Sequence, residues 1–158
     1  MKNIILRENI SLKSIAGGYL CQQIDAQQGE LDAMEVVTGI TLLDVDSGAN
    51  TNRTVVTIVG DPESIIHSAF LGIRKASELI DLEKHRGTHA RMGATDVCPL
   101  IPIKNVSVKE CVKYSNILAK KVSNDLKIPV YLYEYSATSE PRKNLANIRQ
   151  GEYEGMFN

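Results

Sequence analysis

Two apolar segments in the first half of the chain have the composition of β-strands. Residues 41–46 and 54–59 consist largely of Thr, Val, Leu and Ile, and β-branched residues favour extended structure. Residues 47–53 lie between them and are mostly small or polar, as expected of a connecting loop. The pattern predicts two consecutive strands.

Both long helices predicted in the chain have a capping sequence at their start. Asp61 precedes a proline and a glutamate, which suit the free N–H groups and the positive dipole of a helix N-terminus. Apolar residues then recur at three- and four-residue spacing and predict a helix over 62–80. Ser107 and Glu110 form a capping box, which predicts a second helix over 107–126.

The remaining segments predict shorter elements. Residues 97–103 predict a strand interrupted by two prolines, 128–133 a further strand, and 140–149 a short helix. Residues 15–37 give only a weak helix signal. The order of strands and helices favours an α/β two-layer sandwich, in which a mixed β-sheet is covered by helices.

Composition limits the class of protein. The chain has 158 residues, 43% of them hydrophobic, and a net charge of −1, which predicts one domain over 1–158 and argues against nucleic-acid binding. It has no apolar stretch of about 18 residues and no apolar leader, so we expect no membrane span and a cytoplasmic location. The three cysteines are scattered, as expected for small buried residues rather than for disulfides or a zinc site.

The most informative segment is a polar one. Residues 83–99 contain two histidines, three basic residues, two glycines and an aspartate, and a loop between regular elements is a common location for catalytic groups. His85 and His89 have the spacing of a metal-binding pair on a helix, but Gly87 lies between them and no third ligand follows, so we expect no metal. We expect His85 and His67 to lie on the surface.

Several segments together resemble the formiminotransferase family, specifically its N-terminal subdomain. They follow the family's order and spacing at residues 42–53, 87–93, 96–99, 130–133 and 149–154. The resemblance covers residues 39–154. It implies a cytoplasmic, usually dimeric transferase of ferredoxin-like layout, which transfers a formimino group from N-formimino-L-glutamate to tetrahydrofolate in histidine degradation. Tetrahydrofolate is then the co-substrate of one-carbon metabolism, and no metal is implied.

The resemblance implies that His89 is the catalytic residue, because it precedes Arg91-Met92-Gly93 as the family's histidine does. A folate amine must lose a proton when it attacks the formimino carbon, and the departing glutamate nitrogen must gain one. One imidazole with a pKa near neutrality can accept the first proton and return it. From the residues alone, His89 could instead be a loop residue with a structural hydrogen bond.

Seven further residues occupy matching positions and are predicted to bind folate or substrate: Asn9, Asp46, Asn52, Arg53, Arg91, Gly93 and Asp96. Asp46 could orient the histidine or bind a cationic formimino group, and otherwise forms a turn at the strand end. Arg53 could bind a carboxylate, and otherwise is a solvated surface base. Arg91 could bind the glutamate carboxylates or lower the pKa of the histidine, and Asp96 has either a site or a capping role.

Three departures from the family pattern limit this prediction. Residues 8–13 keep the Asn and Ser of the family's folate-contacting loop but not its Pro, Glu and Gly, and Ala90 replaces the proline that usually follows the histidine. The family's transferase domain is about twice as long, so the resemblance implies that a C-terminal subdomain is absent. We therefore expect low activity alone, with a separately encoded C-terminal subdomain or a homodimer completing the cleft.

Two functions of different class remain open. The first is a transferase subunit that binds folate and formiminoglutamate and uses His89. The second is a non-catalytic folate-binding or protein-interaction module, a degenerate remnant of the transferase. For either, we expect His89 at the rim of an open groove near Asp46 or Asn9, and an exposed apolar patch where a partner docks.

Overall fold

The computed structural model describes residues 14–21 and 27–157. In chain order its main elements are β1 (Ser14–Cys21), α1 (Gln27–Glu35), β2 (Ile40–Gly48), β3 (Arg53–Gly60), α2 (Pro62–Leu79), β4 (Thr95–Val97), β5 (Leu100–Lys104), α3 (Val108–Lys121) and α4 (Leu145–Ile148). A π-helical turn at Val122–Leu126 continues α3. Short 3₁₀ turns occupy Glu134–Ser136, Glu140–Lys143 and Glu154–Phe157.

The strands form one sheet in the order β2-β3-β1-β4, and β5 also pairs with β1. Each pairing among the described strands is antiparallel, so the predicted α/β class is confirmed but the prediction of a mixed sheet was wrong. Residues 128–133, predicted as a strand, form none. These residues instead line a groove together with β4 and β5.

The predicted strands β2 and β3 are confirmed, and their register places the hydrophobic side chains on the helix side. In β3 the side chains of Thr54, Val56 and Ile58 are buried and alternate with partly exposed ones, as a strand with one core face requires. Val56 lies opposite Val45 of β2. Because of this alternation, β3 has one face in the core and one face outside it.

One hydrophobic core fills the space between the sheet and the helices. Its fully or nearly fully buried members from β1, β3, α1 and α2 are Ile15, Val56, Ile58, Leu31, Met34, Ile65, Ile66, Ala69, Phe70, Ile73 and Ala76. The sequence signal missed α1, which contributes Leu31 and Met34. Ser68 of α2 donates its hydroxyl to the Met34 carbonyl at 3.1 Å, which satisfies a carbonyl at the end of α1 and joins the two helices.

The predicted helix caps are confirmed. The Asp61 carboxylate accepts a hydrogen bond from the Ser64 amide at 2.9 Å. Desolvation is the largest single effect on the pKa of Asp61 and raises it, but several hydrogen bonds to the charged form together outweigh it, so the pKa lies below its usual value. At α3, the Glu110 amide donates to the Ser107 hydroxyl at 3.2 Å, and the Ser107 amide donates to the Glu110 carboxylate at 2.9 Å. The capping box therefore fixes where α3 begins.

Exposed apolar side chains occur on the outer strands. Leu43 of β2, and Ile101 and Ile103 of β5, are each at least half exposed. The docking of a partner on such residues stays a prediction. Among the helices that the structure describes, none has the length and hydropathy needed to cross a bilayer.

A cavity in the core should cost far more than the same deletion on the sheet surface. We expect Ile65→Ala to lower the free energy of unfolding by about 2–5 kcal/mol, because Ile65 is completely buried. The matched control Ile103→Ala, at a residue 60% exposed, should change it by about 0.5 kcal/mol or less. Urea unfolding measures both, and equal losses in the two variants would contradict the assignment of the core.

Candidate functional site

Two loops that are distant in sequence are joined at one end of the sheet. The Thr88 amide and hydroxyl both donate to the Asn50 carbonyl, at 3.1 and 3.2 Å. The Asn52 side-chain amide donates to the Arg86 carbonyl at 2.8 Å. The loop between β2 and β3 therefore holds the histidine-containing loop that follows α2.

Gly87 allows the two loops to approach this closely. A Cβ atom at this position would lie 2.3 Å from the Thr51 carbonyl oxygen, a distance that requires the backbone to move. Asn52 adopts a left-handed conformation with φ of 49°, which asparagine tolerates better than most residues. Gly87 thus allows the close approach of the two backbones, and Asn52 tolerates the left-handed conformation at the contact.

His85 is buried, so the prediction that it lies on the surface was wrong. Only 3% of it is exposed, because the docked loop covers it. Its Nδ1 lies 3.5 Å from the Asn52 side-chain nitrogen. An amide nitrogen can donate a hydrogen bond but cannot accept one, so in this contact Nδ1 is the acceptor and the proton of the neutral ring is assigned to Nε2.

Burial and positive neighbours keep His85 neutral. Desolvation is the largest cause that lowers the pKa of His85, followed by the charges of Arg91, Arg86 and His89. The ring is therefore uncharged at neutral pH. This places a neutral imidazole beside the predicted catalytic one.

His89 is half-buried in the same loop. Its Nδ1 and the Nε2 of His85 are both buried, and within the described part of the chain neither has a hydrogen-bond partner. A buried polar nitrogen without a partner is costly, and a catalytic role is one explanation for it. The catalytic role of His89 itself stays a prediction.

The other predicted residues of the β2–β3 region lie on the adjoining strands. Asp46 is exposed on β2 opposite Val55, and Arg53 is half-buried at the start of β3. In the described residues no hydrogen bond or ion pair joins Asp46 to His89. Asn9 lies outside the described residues, so its predicted proximity to the histidine is not tested.

Arg91 is held by contacts with its own chain. Its Nη1 donates to the Leu82 carbonyl at 2.6 Å, its Nη2 forms an ion pair with Glu154, and its guanidinium carbon lies 5.3 Å from the centre of the Tyr153 ring. The Tyr153 amide donates to the Arg91 carbonyl at 2.7 Å. Arg91 therefore joins the C-terminal segment to the histidine loop, a role that the sequence pattern did not indicate.

Gly93 and Asp96 line a separate groove with a volume of about 970 Å³. The Asp96 side chain is fully buried and paired with Arg149, through Nη2 to one carboxylate oxygen and through Nε at 3.4 Å to the other. The sequence offered a site role or a capping role for Asp96, and the structure shows an ion pair with Arg149. His89, Asp46 and Arg53 do not line this groove.

Two of the three cysteines, Cys98 and Cys111, have side chains that the structure describes. Cys111 is buried in the core, and Cys98 is half-buried in the wall of the groove. Desolvation raises the pKa of the Cys98 thiol to about 12, which leaves it protonated and unreactive at neutral pH. Among the described residues no three His, Cys, Asp or Glu side chains are grouped as metal ligands.

Comparison with known proteins gives a consistent set of relatives. Residues 24–158 match the model of the formiminotransferase domain, N-terminal subdomain. A glutamate formimidoyltransferase from Streptococcus pyogenes serotype M1 is 52% identical over 120 residues, which are 76% of this chain and 40% of the relative. A formimidoyltransferase-cyclodeaminase from Dictyostelium discoideum is 50% identical over 124 residues, 78% of this chain and 23% of the relative.

A more distant relative extends the same pattern. A glutamate formimidoyltransferase from Thermoplasma acidophilum is 41% identical over 123 residues, 78% of this chain and 41% of the relative. The chain therefore spans less than half the length of each of these relatives. The family match begins at residue 24, so β1 precedes it.

The neutral state of His85 predicts a pH dependence of stability. A lowered pKa in the folded state means that the unfolded chain takes up a proton first as the pH falls below about 6.5. The stabilising contribution is complete above that pH and is lost as the pH falls toward the folded-state pKa. We expect His85→Gln to flatten the decline of unfolding free energy between about pH 7.5 and 5.5.

The matched control is His67→Gln, at an exposed position of α2. It should retain the pH dependence of the original chain in chemical denaturation. A His85→Gln variant with an unchanged slope would show that His85 does not resist protonation.

Proposed function

Because the chain belongs to the formiminotransferase family, through its N-terminal subdomain, we propose that it takes part in transfer of a formimino group. The donor in this proposal is N-formimino-L-glutamate, and the acceptor is tetrahydrofolate, which serves as co-substrate in histidine degradation in the cytoplasm. Support comes from relatives named as glutamate formimidoyltransferases or formimidoyltransferase-cyclodeaminases.

The layout that we propose for this domain is ferredoxin-like. The element order β1-α1-β2-β3-α2-β4 supports it, as does the strand order β2-β3-β1-β4 with antiparallel pairing. In such a sheet the loop after β2 and the segment after α2 reach the same end. That proximity supports the use of both loops in one site.

The proposed role of His89 is to move one proton during the transfer. Attack of the folate N5 on the formimino carbon forms a C–N bond, and His89 takes the N5 proton. The imidazolium then protonates the glutamate nitrogen as its bond to carbon breaks, which restores the neutral ring. The proposal rests chiefly on one observation, the buried and unpartnered Nδ1 of His89 beside a neutral His85.

The predicted substrate-binding residues divide into two groups in this proposal. Asp46 and Arg53 have side chains that reach solvent near the docked loops and remain candidates for contact with formiminoglutamate or folate. Arg91 and Asp96 have ion-pair partners, which supports a positioning role for them. Asn52 holds the histidine loop through the Arg86 carbonyl, and its predicted contact with substrate stays a prediction.

A second candidate is a non-catalytic module that binds folate or another protein. Two departures from the family pattern favour it, the altered residues 8–13 and Ala90 after the histidine. Ala90 leaves the loop less rigid than proline would. In either case, the partner that we propose to complete a folate cleft is a C-terminal subdomain or a second copy of this chain.

Turnover measured with and without His89 separates the two candidates. Formation of formiminotetrahydrofolate is followed by absorbance, with the chain alone and with the C-terminal subdomain of a relative added. If the chain is a transferase, His89→Ala should lower the rate by about 10²–10⁴-fold, because the proton transfer is lost.

His67→Ala, at an exposed position on α2, is the control and should leave the rate unchanged. A rate that survives His89→Ala would remove the histidine from the mechanism. Folate binding without turnover under both conditions would favour the module.

A further inference from the structure

The proposed transfer assigns no substrate to the groove of about 970 Å³. Its walls are the end of α2, one face of α3, the strands β4 and β5, and residues 128–136. Aliphatic side chains make up most of this lining, among them Ile80, Leu100, Val112, Leu118 and Ile128. The volume lies at the upper end of the range of small-molecule sites, about 300–1,000 Å³.

The lining also contains polar side chains, and two of them, Arg149 and Tyr133, are the hydrogen-bond donors that this proposal uses. Arg149 directs Nε and Nη2 at the buried Asp96 carboxylate, which fixes the orientation of the guanidinium. Its Nη1, and the hydroxyl of Tyr133, have no hydrogen-bond partner within the described part of the chain. A guanidinium edge and a phenol therefore offer hydrogen bonds in a mostly apolar groove.

The charges around Arg149 and Tyr133 indicate which kind of ligand oxygen could accept their hydrogen bonds. The positive charge of Arg149 is offset by Asp96, whose side chain is fully buried. Burial, the largest cause, raises the pKa of Tyr133, so its hydroxyl remains a donor at neutral pH. Asp81 and Glu134 also belong to the lining, and because Arg149 offsets only Asp96, these two further acidic groups disfavour an anion. A neutral oxygen acceptor would avoid this repulsion.

We propose that this groove binds an uncharged, largely apolar molecule that carries a carbonyl oxygen, which accepts hydrogen bonds from Arg149 and Tyr133. The aliphatic walls bury the apolar part of the molecule, and the donors fix its orientation. His89 is not part of the lining. Met92, Gly93 and Ala94 of the same loop do line the groove, so the site borders the histidine loop without including the proposed catalytic group. Binding there does not depend on formimino transfer.

The probe that tests this proposal is the neutral naphthyl ketone 6-propionyl-2-(dimethylamino)naphthalene. Its emission shifts to the blue in an apolar environment, and its carbonyl responds to hydrogen bonding. We expect saturable binding to the full chain with blue-shifted emission. The anionic probe 1-anilinonaphthalene-8-sulfonate should bind at least about tenfold more weakly.

Two variants assign the binding to the groove and to its polar groups. Ala119→Phe adds a ring to the groove wall on α3 and should weaken ketone binding about tenfold or more, whereas Ala146→Phe, at an exposed residue outside the lining, should not change it. Tyr133→Phe removes one donor with little change in volume and should weaken binding about threefold to tenfold.

Failure of the ketone to bind would overturn the proposal. It would also be overturned by equal binding to Ala119→Phe, by unchanged affinity and emission in Tyr133→Phe, or by tighter binding of the anionic probe. None of these measurements requires transferase activity. A negative result here therefore leaves the proposed function of His89 unaffected, and loss of that function leaves this site unaffected.

Discussion

The contact between Gly87 and the Thr51 carbonyl is the constraint on which the candidate site depends. The close approach of these two backbones lets Thr88 reach the Asn50 carbonyl and Asn52 reach the Arg86 carbonyl. These bonds cover His85 and place it beside His89. The site is thus built by the docking of two loops on a rigid sheet, and its side chains come from segments more than thirty residues apart in the chain.

Two arginines near the candidate site have acidic partners, and the imidazole of His85 is neutral. Arg91 is committed to Leu82, Glu154 and Tyr153, and Arg149 is committed to Asp96. His85 remains uncharged because it is desolvated and has positive neighbours. Such an arrangement leaves His89, which is half-buried in the same loop, beside a neutral imidazole and not beside a cationic one.

Local sequence patterns predicted the parts of the fold that depend on local interactions. The strands β2 and β3, the helix α2 and the caps at Asp61 and Ser107 follow from composition, spacing and side chains near in sequence. The pattern of residues 128–133 is equally apolar, yet these residues line a groove. A strand needs a hydrogen-bonded neighbour, and a local pattern does not show whether the fold brings one within reach.

The site could be predicted only in part for the same reason. The polar run and the family resemblance selected His89, whereas His85 was placed on the surface because its burial comes from a loop elsewhere in the chain. The pair Asp96–Arg149 joins residues 53 positions apart. Contacts of this kind depend on the tertiary fold. A single sequence shows that an aspartate and an arginine are present, but it does not show that the two side chains are close in space.

The most direct test of the account is the pKa of the His85 ring, measured by NMR titration in the original chain and in Gly87→Ala. The added methyl group would overlap the Thr51 carbonyl, so the loops should separate and water should reach the ring. The account predicts a pKa below about 6.5 in the original chain and a rise toward that value in Gly87→Ala. Gly155→Ala, where a methyl group makes only an ordinary contact at 3.4 Å, should leave it unchanged. An ordinary pKa in the original chain, or a low one that survives Gly87→Ala, would contradict the claim that loop docking builds the site.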